Sequence, residues 1–313
     1  MRHVVSICAL VFTVTAAMAQ APTARIPDES AGIDGIAQTL ITLFDQFDIL
    51  ALGEAHGKQL DSALQIALVR HPDFAKKVHS IVVEFGSTTE QSTLDRYTRG
   101  ENISLAQLAQ VWKTTVSPQV WANPIYADFF AAVRDVNAKL PAEARIRVFG
   151  GDPGNGSSRD TFAISVLKEQ VLQKHGKALV IFGAGHFYRP TGAPGRSIAG
   201  DIGIARTLEI EYPRQTFVVI PLGGRVDQPQ PGTTLRIFPD YEKVDRALTT
   251  KVRPVLVSLQ RLPFRDFTAE EFIGHQILNC NGPAGCRSLF QGSSVTLGQI
   301  ADAGFYVGGG AYP

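Results

Sequence analysis

The stretch Asp48-Ile49-Leu50-Ala51-Leu52-Gly53-Glu54-Ala55-His56-Gly57 decides how the rest of the chain is interpreted. Residues 49–52 form a continuous apolar run, which is typical of a strand covered on both faces in a parallel sheet. The run ends at Gly53, and a carboxylate and an imidazole follow at Glu54 and His56. A helical pattern begins after Gly57, so the stretch predicts a strand–turn–helix junction with polar chemistry on the turn. Ligands of open α/β sheets bind at this end of the strands; the alternative is an ordinary turn with two solvated side chains.

Three further apolar runs end in the same way. Residues 81–83 precede Glu84, residues 146–149 are followed by Asp152, and residues 178–182 lead through a glycine-rich turn to His186. Neighbouring strands lie about 4.8 Å apart, so we expect these side chains to converge on one site. Asp152 stands before Pro-Gly, a sequence that is typical of turns. Of the candidate site residues, it is the one for which a purely structural role in a turn is the strongest alternative.

Later segments extend the same architecture. Residues 216–220 and 255–259 predict a fifth and a sixth strand, and a short apolar segment within 299–307 is compatible with a last one. The predicted fold class is α/β, with a mostly parallel sheet, helices on both faces and the site at the carboxyl ends of the strands. We expect residues 20–225 to form the α/β domain that carries the site. Residues 226–313 are expected to be an irregular, loop-rich C-terminal extension of the same domain.

The N-terminal sequence indicates export, and export bears on how two cysteines near the C-terminus are interpreted. Residues 1–19 read as a signal peptide, because an apolar run follows Arg2 and ends in the cleavage pattern Ala17-Met18-Ala19. We therefore expect a periplasmic or secreted protein with no membrane anchor after cleavage. Cys280 and Cys286 flank a turn-rich loop, and an oxidising compartment favours a disulfide between them. A thiolate metal pair is the alternative, but it would need further ligands.

Composition narrows the range of partners. The formal net charge of +1, from 30 basic and 29 acidic residues, creates no field that would favour nucleic acid. We expect a small-molecule or peptide substrate and no nucleic-acid partner, whereas the oligomeric state is not determined. Trp112, Trp121 and Tyr126 are candidates for the wall of a substrate cleft, with core packing as the alternative.

The polar residues at the strand ends suit two chemistries. One is general acid–base hydrolysis, in which a histidine activates water and a carboxylate orients the histidine. The other is a divalent metal held by imidazole and carboxylate, which lowers the pKa of a bound water. A serine hydrolase is disfavoured, because no Gly-x-Ser-x-Gly elbow follows any of the predicted strands. The catalytic candidates are His56, Glu54, Glu84, His186 and Asp152, and the candidate metal ligands are His56, Glu84 and His186.

Three of these motifs resemble a known superfamily. Gly53-Glu54-Ala55-His56, Val82-Val83-Glu84 and Gly183-Ala184-Gly185-His186 look like the motifs of the erythromycin esterase, ChaN and Tiki superfamily, over about residues 49–204. The resemblance implies an α/β fold. Likeness to the esterases implies that His56 activates water with Glu54 and Glu84 beside it, although those enzymes usually have one more residue between the Glu and the His. Likeness to the Tiki-like proteases implies a metal site made of both histidines and the Glu, and their spacing is closer to that found here.

Likeness to the ChaN proteins implies haem binding, although this chain lacks the lipoprotein cysteine expected of ChaN. The sequence thus predicts an exported hydrolase of esterase or metalloprotease type, acting on an ester or amide bond with or without a divalent metal ion. The alternative is a ChaN-like uptake protein that binds haem or a metal and has no turnover.

Overall fold

The computed structural model describes residues 26–189, 203–223, 241–273, 277–278, 287–288, 290 and 293–309. The predicted signal peptide and both cysteines of the predicted disulfide lie outside the described residues. These two expectations therefore remain predictions. Within the described residues, no helix is both long and apolar enough to cross a membrane.

Ten strands are described. They are β1 (Glu29–Ala31), β2 (Ile49–Glu54), β3 (Ser80–Ser87), β4 (Arg147–Asp152), β5 (Ala178–Gly183), β6 (Thr216–Leu222), β7 (Val255–Ser258), β8 (Ile277–Leu278), β9 (Arg287–Ser288) and β10 (Ala303–Tyr306). Eight of them form one sheet in the order β1–β7–β10–β6–β2–β5–β3–β4. The pairs from β10 to β4 are parallel, whereas β7 runs antiparallel to both β10 and β1. The predicted α/β fold with a mostly parallel sheet is confirmed.

Twelve α-helices are found in the described part of the chain. They are α1 (Ile33–Leu43), α2 (Gln59–Arg70), α3 (Phe74–Lys77), α4 (Gln91–Thr98), α5 (Leu105–Leu108), α6 (Gln110–Lys113), α7 (Ile125–Asn137), α8 (Arg159–Gln170), α9 (Ile204–Glu211), α10 (Tyr241–Ala247), α11 (Ala269–Ile273) and α12 (Leu297–Ile300). Two short 3-10 helices, Pro118–Trp121 and Ala184–Phe187, lie near the site described below.

Alternate residues of the central strands supply two separate apolar cores. Every residue of β2 and β5 is buried. Leu50 and Leu52 pack with helices α1, α2 and α7 on one face, whereas Ala51 and Val180 pack with α8 and α9 on the other. This alternation follows from the two-residue period of a strand. Because both faces are covered, the central strands are continuous apolar runs, as the sequence predicted.

The order of the strands in space differs from their order in the chain. β5 lies between β2 and β3, so the first two strands of the predicted series are not neighbours. The strands are also longer than their apolar runs: β2 includes Glu54, and β3 continues through Glu84 to Ser87. The pairing of β3 with β4 shifts register between Val83 and Ser87. Polar residues can remain inside a strand here, because side chains from neighbouring elements satisfy them.

Candidate active site

The polar side chains meet at the carboxyl edge of the sheet, around the end of β5. Glu54 is the last residue of β2, Glu84 lies in β3, and His186 lies in the 3-10 helix that follows β5. Close backbone packing makes this possible. A Cβ atom at Gly53 would lie only 3.0 Å from both the Cα of Ala184 and a backbone oxygen of β6, so glycine is required for the turn after β5 to approach β2.

A fixed carboxylate holds His56. Its Nδ1 lies 2.9 Å from Oε1 of Glu54, which is buried. Tyr126 donates its hydroxyl proton to the same oxygen at 3.1 Å, and Gln65 donates from Nε2 to Oε2 at 2.7 Å. Both oxygens of Glu54 are therefore engaged. This carboxylate can orient the imidazole without moving itself.

The turn that carries the histidine is pinned from two helices. The backbone N–H of Ala55 donates to Oδ2 of Asp61 in α2 at 2.8 Å. The backbone N–H of Gly57 donates to the hydroxyl of Tyr126 at 2.9 Å, and Asn123 donates from Nδ2 to the Gly57 carbonyl at 3.1 Å. Gly57 has a φ of 74°, a left-handed conformation that glycine adopts without strain. The turn therefore holds His56 in a fixed position.

The imidazole of His56 remains partly open to solvent, with 36% of its side chain exposed. It packs edge-to-face with Trp121, at 4.7 Å between ring centroids, and against the backbone of Gly183, where a Cβ would lie 2.9 Å from Nε2. Among the described residues, Nε2 has no hydrogen-bond partner. Burial favours the neutral ring, but the hydrogen bond to Glu54 and the charge of Glu84 outweigh it and raise the pKa of His56 above its ordinary value.

The carboxylate of Glu84 is fully buried and held on all sides. Its Oε1 accepts a hydrogen bond from Nη1 of Arg159 at 2.7 Å and lies 3.3 Å from Nε2 of His186. Its Oε2 accepts the backbone N–H of Gly183 at 2.7 Å. Burial alone would raise the pKa of Glu84, but the bond to His186, with the charges of His186 and His56, lowers it to about 2. Glu84 is therefore a fixed negative charge.

His186 lies between two carboxylates. Its Nδ1 is hydrogen-bonded to Oδ1 of Asp160 and its Nε2 faces Glu84. Burial opposes the charged ring, but these two carboxylates raise the pKa of His186 to about 10. An ionised carboxylate only accepts hydrogen bonds, so both ring nitrogens must donate. His186 is therefore an imidazolium in this arrangement.

The sequence interpretation missed two residues of this cluster, Arg159 and Asp160. They open helix α8, directly after Ser158, whose side chain caps the helix by accepting the N–H of Thr161 at 3.3 Å. The sequence feature that could have pointed to them is the start of helix α8. It follows the glycine-rich loop after β4, and helices of α/β sheets begin at the edge where ligands bind.

Asp152 has a different environment from the other candidates. Its Oδ1 accepts the backbone N–H groups of Val116 at 3.0 Å and Gly154 at 2.7 Å, and its Oδ2 is buried without a partner among the described residues. Burial raises its pKa. Asp152 therefore organises the loop after β4, as its turn context suggested. Of the three aromatic candidates, Trp121 and Tyr126 border the site, whereas Trp112 stacks on Phe130.

The candidate metal ligands His56, Glu84 and His186 lie together but do not form a ligand set. Among the described residues, no group of three or more His, Cys, Asp or Glu side chains is arranged to hold a metal ion. Both oxygens of Glu84 accept hydrogen bonds, and both ring nitrogens of His186 face carboxylates. A divalent metal does not fit these donors. Nε2 of His56 is the ring nitrogen of the two histidines that could bind haem iron if haem were present.

Residues 40–144 match the sequence profile of a protein family described as haem-binding uptake, Tiki superfamily, ChaN. The matched range contains Glu54, His56 and Glu84 and ends before His186. The predicted resemblance to this superfamily is confirmed. A comparison with curated proteins finds no match.

Solved structures share the fold at low sequence identity. A succinoglycan biosynthesis protein superposes with a TM-score of 0.61 at 9% identity, covering 90% of this chain and 94% of its own. A protein from Bacillus cereus gives a TM-score of 0.54 at 11% identity, with 89% and 92% covered. A mutant erythromycin esterase, EreC, in its open conformation gives 0.50 at 10% identity, with 88% and 93% covered. At such identities the likeness shows the α/β fold alone.

Proposed function

We propose that this protein is a hydrolase in which His56 is the general base that activates water for attack on an ester or amide carbonyl. The observation that carries the proposal is the pairing of His56 with Glu54. A partly exposed imidazole is bonded through Nδ1 to a buried carboxylate whose two oxygens are already engaged. Such a pair fixes the ring and its tautomer and leaves Nε2 to accept a proton.

The proposed reaction needs no metal. Nε2 of His56 takes a proton from water as the new oxygen–carbon bond forms, and Glu54 stabilises the resulting imidazolium. The ring then returns this proton to the leaving group as the tetrahedral intermediate collapses. Negative charge that develops on the carbonyl oxygen is offset by Arg159, whose side chain is 32% exposed next to Glu84. His186 adds a second positive charge behind it.

Hydrolysis of activated esters tests this proposal. Chelator-treated protein should hydrolyse p-nitrophenyl acetate or a short peptide and incorporate oxygen from ¹⁸O-water into the acid product. His56→Ala should lose this activity by about 100-fold or more. His79→Ala is the matched control, because His79 is exposed and immediately precedes β3 at the opposite edge of the sheet. Equal activity of the two variants would refute the role of His56, as would activity that returns only with added metal.

A haem-binding uptake function is the second candidate, and the description of the matching family favours it. In that case His56 would supply Nε2 to the iron, and the protein would show no turnover. Titration of the purified protein with haemin should then give a Soret band that His56→Ala abolishes and His79→Ala retains. A band that is the same in both variants would contradict ligation by His56.

Export remains part of the proposal. It rests on the apolar run and the Ala17-Met18-Ala19 pattern at the N-terminus. N-terminal sequencing of protein from the periplasmic or secreted fraction should find Gln20 as the first residue. Retention of Met1 on exported protein would contradict cleavage.

A further inference from the structure

The first turn of α8 holds one end of the active site through two consecutive residues. Arg159 bonds to Glu84, and Asp160 bonds to His186. Since Glu84 and His186 also face each other at 3.3 Å, the four side chains form a row of alternating charge. The row runs Arg159, Glu84, His186, Asp160, and all but the arginine are buried.

The side chains of this row depend on one another for their counter-charges. Oδ2 of Asp160 is buried and has no partner among the described residues, so His186 is the only cation bonded to this carboxylate. Asp160 lies in the first turn of α8, where the partial positive charge of the helix N-terminus is close to its carboxylate. Removing one member of a buried ion pair leaves an uncompensated charge. Asp160 and His186 therefore each supply the counter-charge of the other.

We infer that Asp160 is a positioning residue of the active site: it keeps His186 doubly protonated, and His186 in turn fixes the ionised Glu84 beside His56. This inference rests on the proposed hydrolase function for its catalytic consequence. The state of His186 itself can be measured without any activity.

The surroundings of His186 support this assignment. Asp160 faces it from α8 and Glu84 from β3, Arg159 reaches Glu84 from α8, and His56 lies across Glu84 on the turn after β2. The apolar ring of Phe182 packs edge-to-face on the imidazole at 5.6 Å. Two carboxylates thus bond the ring directly, and no described cation contacts it.

The consequence for catalysis follows from the charge of His186. A cation at His186 opposes protonation of His56, although the bond to Glu54 and the charge of Glu84 outweigh this effect. If Asp160 lost its charge, His186 would release its proton more readily and become neutral. His56 would then bind its proton more tightly, because Glu84 would still attract it. The base would become active only at higher pH.

Nuclear magnetic resonance of protein labelled with ¹⁵N-histidine tests the state of His186 directly. At about pH 8, where an ordinary histidine is neutral, one histidine should still show both ring N–H groups with imidazolium nitrogen shifts. His186→Gln should remove that signal, and Asp160→Asn should convert it to a neutral ring. Asp34→Asn is the matched control, because Asp34 is an exposed residue in the first turn of α1. A wild-type spectrum with only neutral histidines at this pH would overturn the inference.

The pH profile separates positioning from a merely structural role. Asp160→Asn should move the acid limb of kcat/KM upward by about one pH unit, and Asp160→Glu should restore part of the shift. A uniform loss at all pH values would overturn the positioning role. If Asp160→Asn does not fold, titration of the wild-type His186 signal decides: a midpoint near 10 supports the inference, and an ordinary midpoint contradicts it. If the wild type hydrolyses nothing, the hydrolase proposal fails while the spectrum still decides the state of His186.

Discussion

His56 and His186 follow neighbouring strands, β2 and β5, at the same edge of the sheet, yet their surroundings differ. His56 has one carboxylate partner and a side chain that is 36% exposed. His186 has two carboxylate partners and a side chain that is 10% exposed. The comparison shows that the number of bonded acceptors and the access of water give the two imidazoles different tendencies to hold a proton, although both lie in glycine-rich turns.

The site has an open half, made of His56 and Glu54, and a closed half, made of His186, Asp160 and Glu84. The two halves differ in the contacts that hold them. Glu54 remains hydrogen-bonded by Tyr126 and Gln65 if His56 is removed. Asp160, in contrast, depends on His186 for its counter-charge. Substitutions in the open half should therefore affect mainly the reaction, whereas those in the closed half should affect folding as well as the pH dependence of the reaction.

The largest expected effect is in the closed half. His186→Ala leaves Asp160 without its counter-charge and weakens the support of Glu84, and breaking a buried ion pair in this way should lower the free energy of unfolding by about 3–5 kcal/mol. Urea denaturation followed by circular dichroism measures this change. His79→Ala, which removes an exposed histidine, should change it by less than about 0.5 kcal/mol. Equal stability of the two variants would show that the buried carboxylates do not need His186.

In the open half, His56→Ala should separate activity from stability. We expect kcat/KM for an activated ester to fall by about 100-fold or more, because the proton acceptor is lost. The free energy of unfolding should change by less than about 1 kcal/mol, because the side chain is exposed at a strand end. Parallel kinetic and urea measurements on one preparation check both parts. Unfolding of this variant would make His56 a structural residue and remove the contrast with His186.

Gly183→Ala sharpens the comparison by moving the base without removing it. The added Cβ would lie 2.8 Å from Cε1 of His56, so the ring must shift, and small misplacements of a catalytic group are costly to the rate. We expect about a tenfold loss in kcat/KM, with a smaller change in stability. Gly185→Ala is the control, because a Cβ there meets no atom within 4 Å. Unchanged kinetics in Gly183→Ala would mean that the packing of His56 on this backbone is not important.

The closed half should also impose a dependence of stability on pH. The pKa of Glu84 falls from 4.5 to about 2 on folding, so its contribution is present above pH 4.5 and is lost as the pH falls toward 2. The pKa of His186 rises from 6.5 to about 10, so its contribution is complete below pH 6.5 and is lost as the pH rises toward 10.

Stability should therefore be greatest between about pH 4.5 and 6.5, and the alkaline decline should be weaker in His186→Gln. Thermal unfolding in a series of buffers at constant ionic strength measures both limbs. An alkaline decline of the same size in wild type and His186→Gln would assign it to other groups.

Local sequence was sufficient for the central strands and for the site's first members. The uninterrupted apolar runs of β2 and β5 are buried on both faces, and a run of this kind predicts a central strand wherever it lies in the chain. Glu54, His56 and His186 were found because each follows such a run beside a glycine that allows the chain to turn. These signals lie within a few residues of each other, so they can be read without knowing the fold.

Tertiary structure alone decided how those residues are combined. The insertion of β5 between β2 and β3 brings His186 to Glu84, and strand order is a long-range property that no local pattern carries. Asp152 lies in a glycine-rich turn and Asp160 in the first turn of a helix, and the sequence does not distinguish their roles. Packing directs Asp160 to an imidazole and Asp152 to backbone N–H groups. The sequence by itself therefore determined that polar groups follow the central strands at one edge of the sheet, although it did not identify Arg159 and Asp160. The fold determined which of the polar groups are charged, because charge depends on burial and on the partners that distant segments supply.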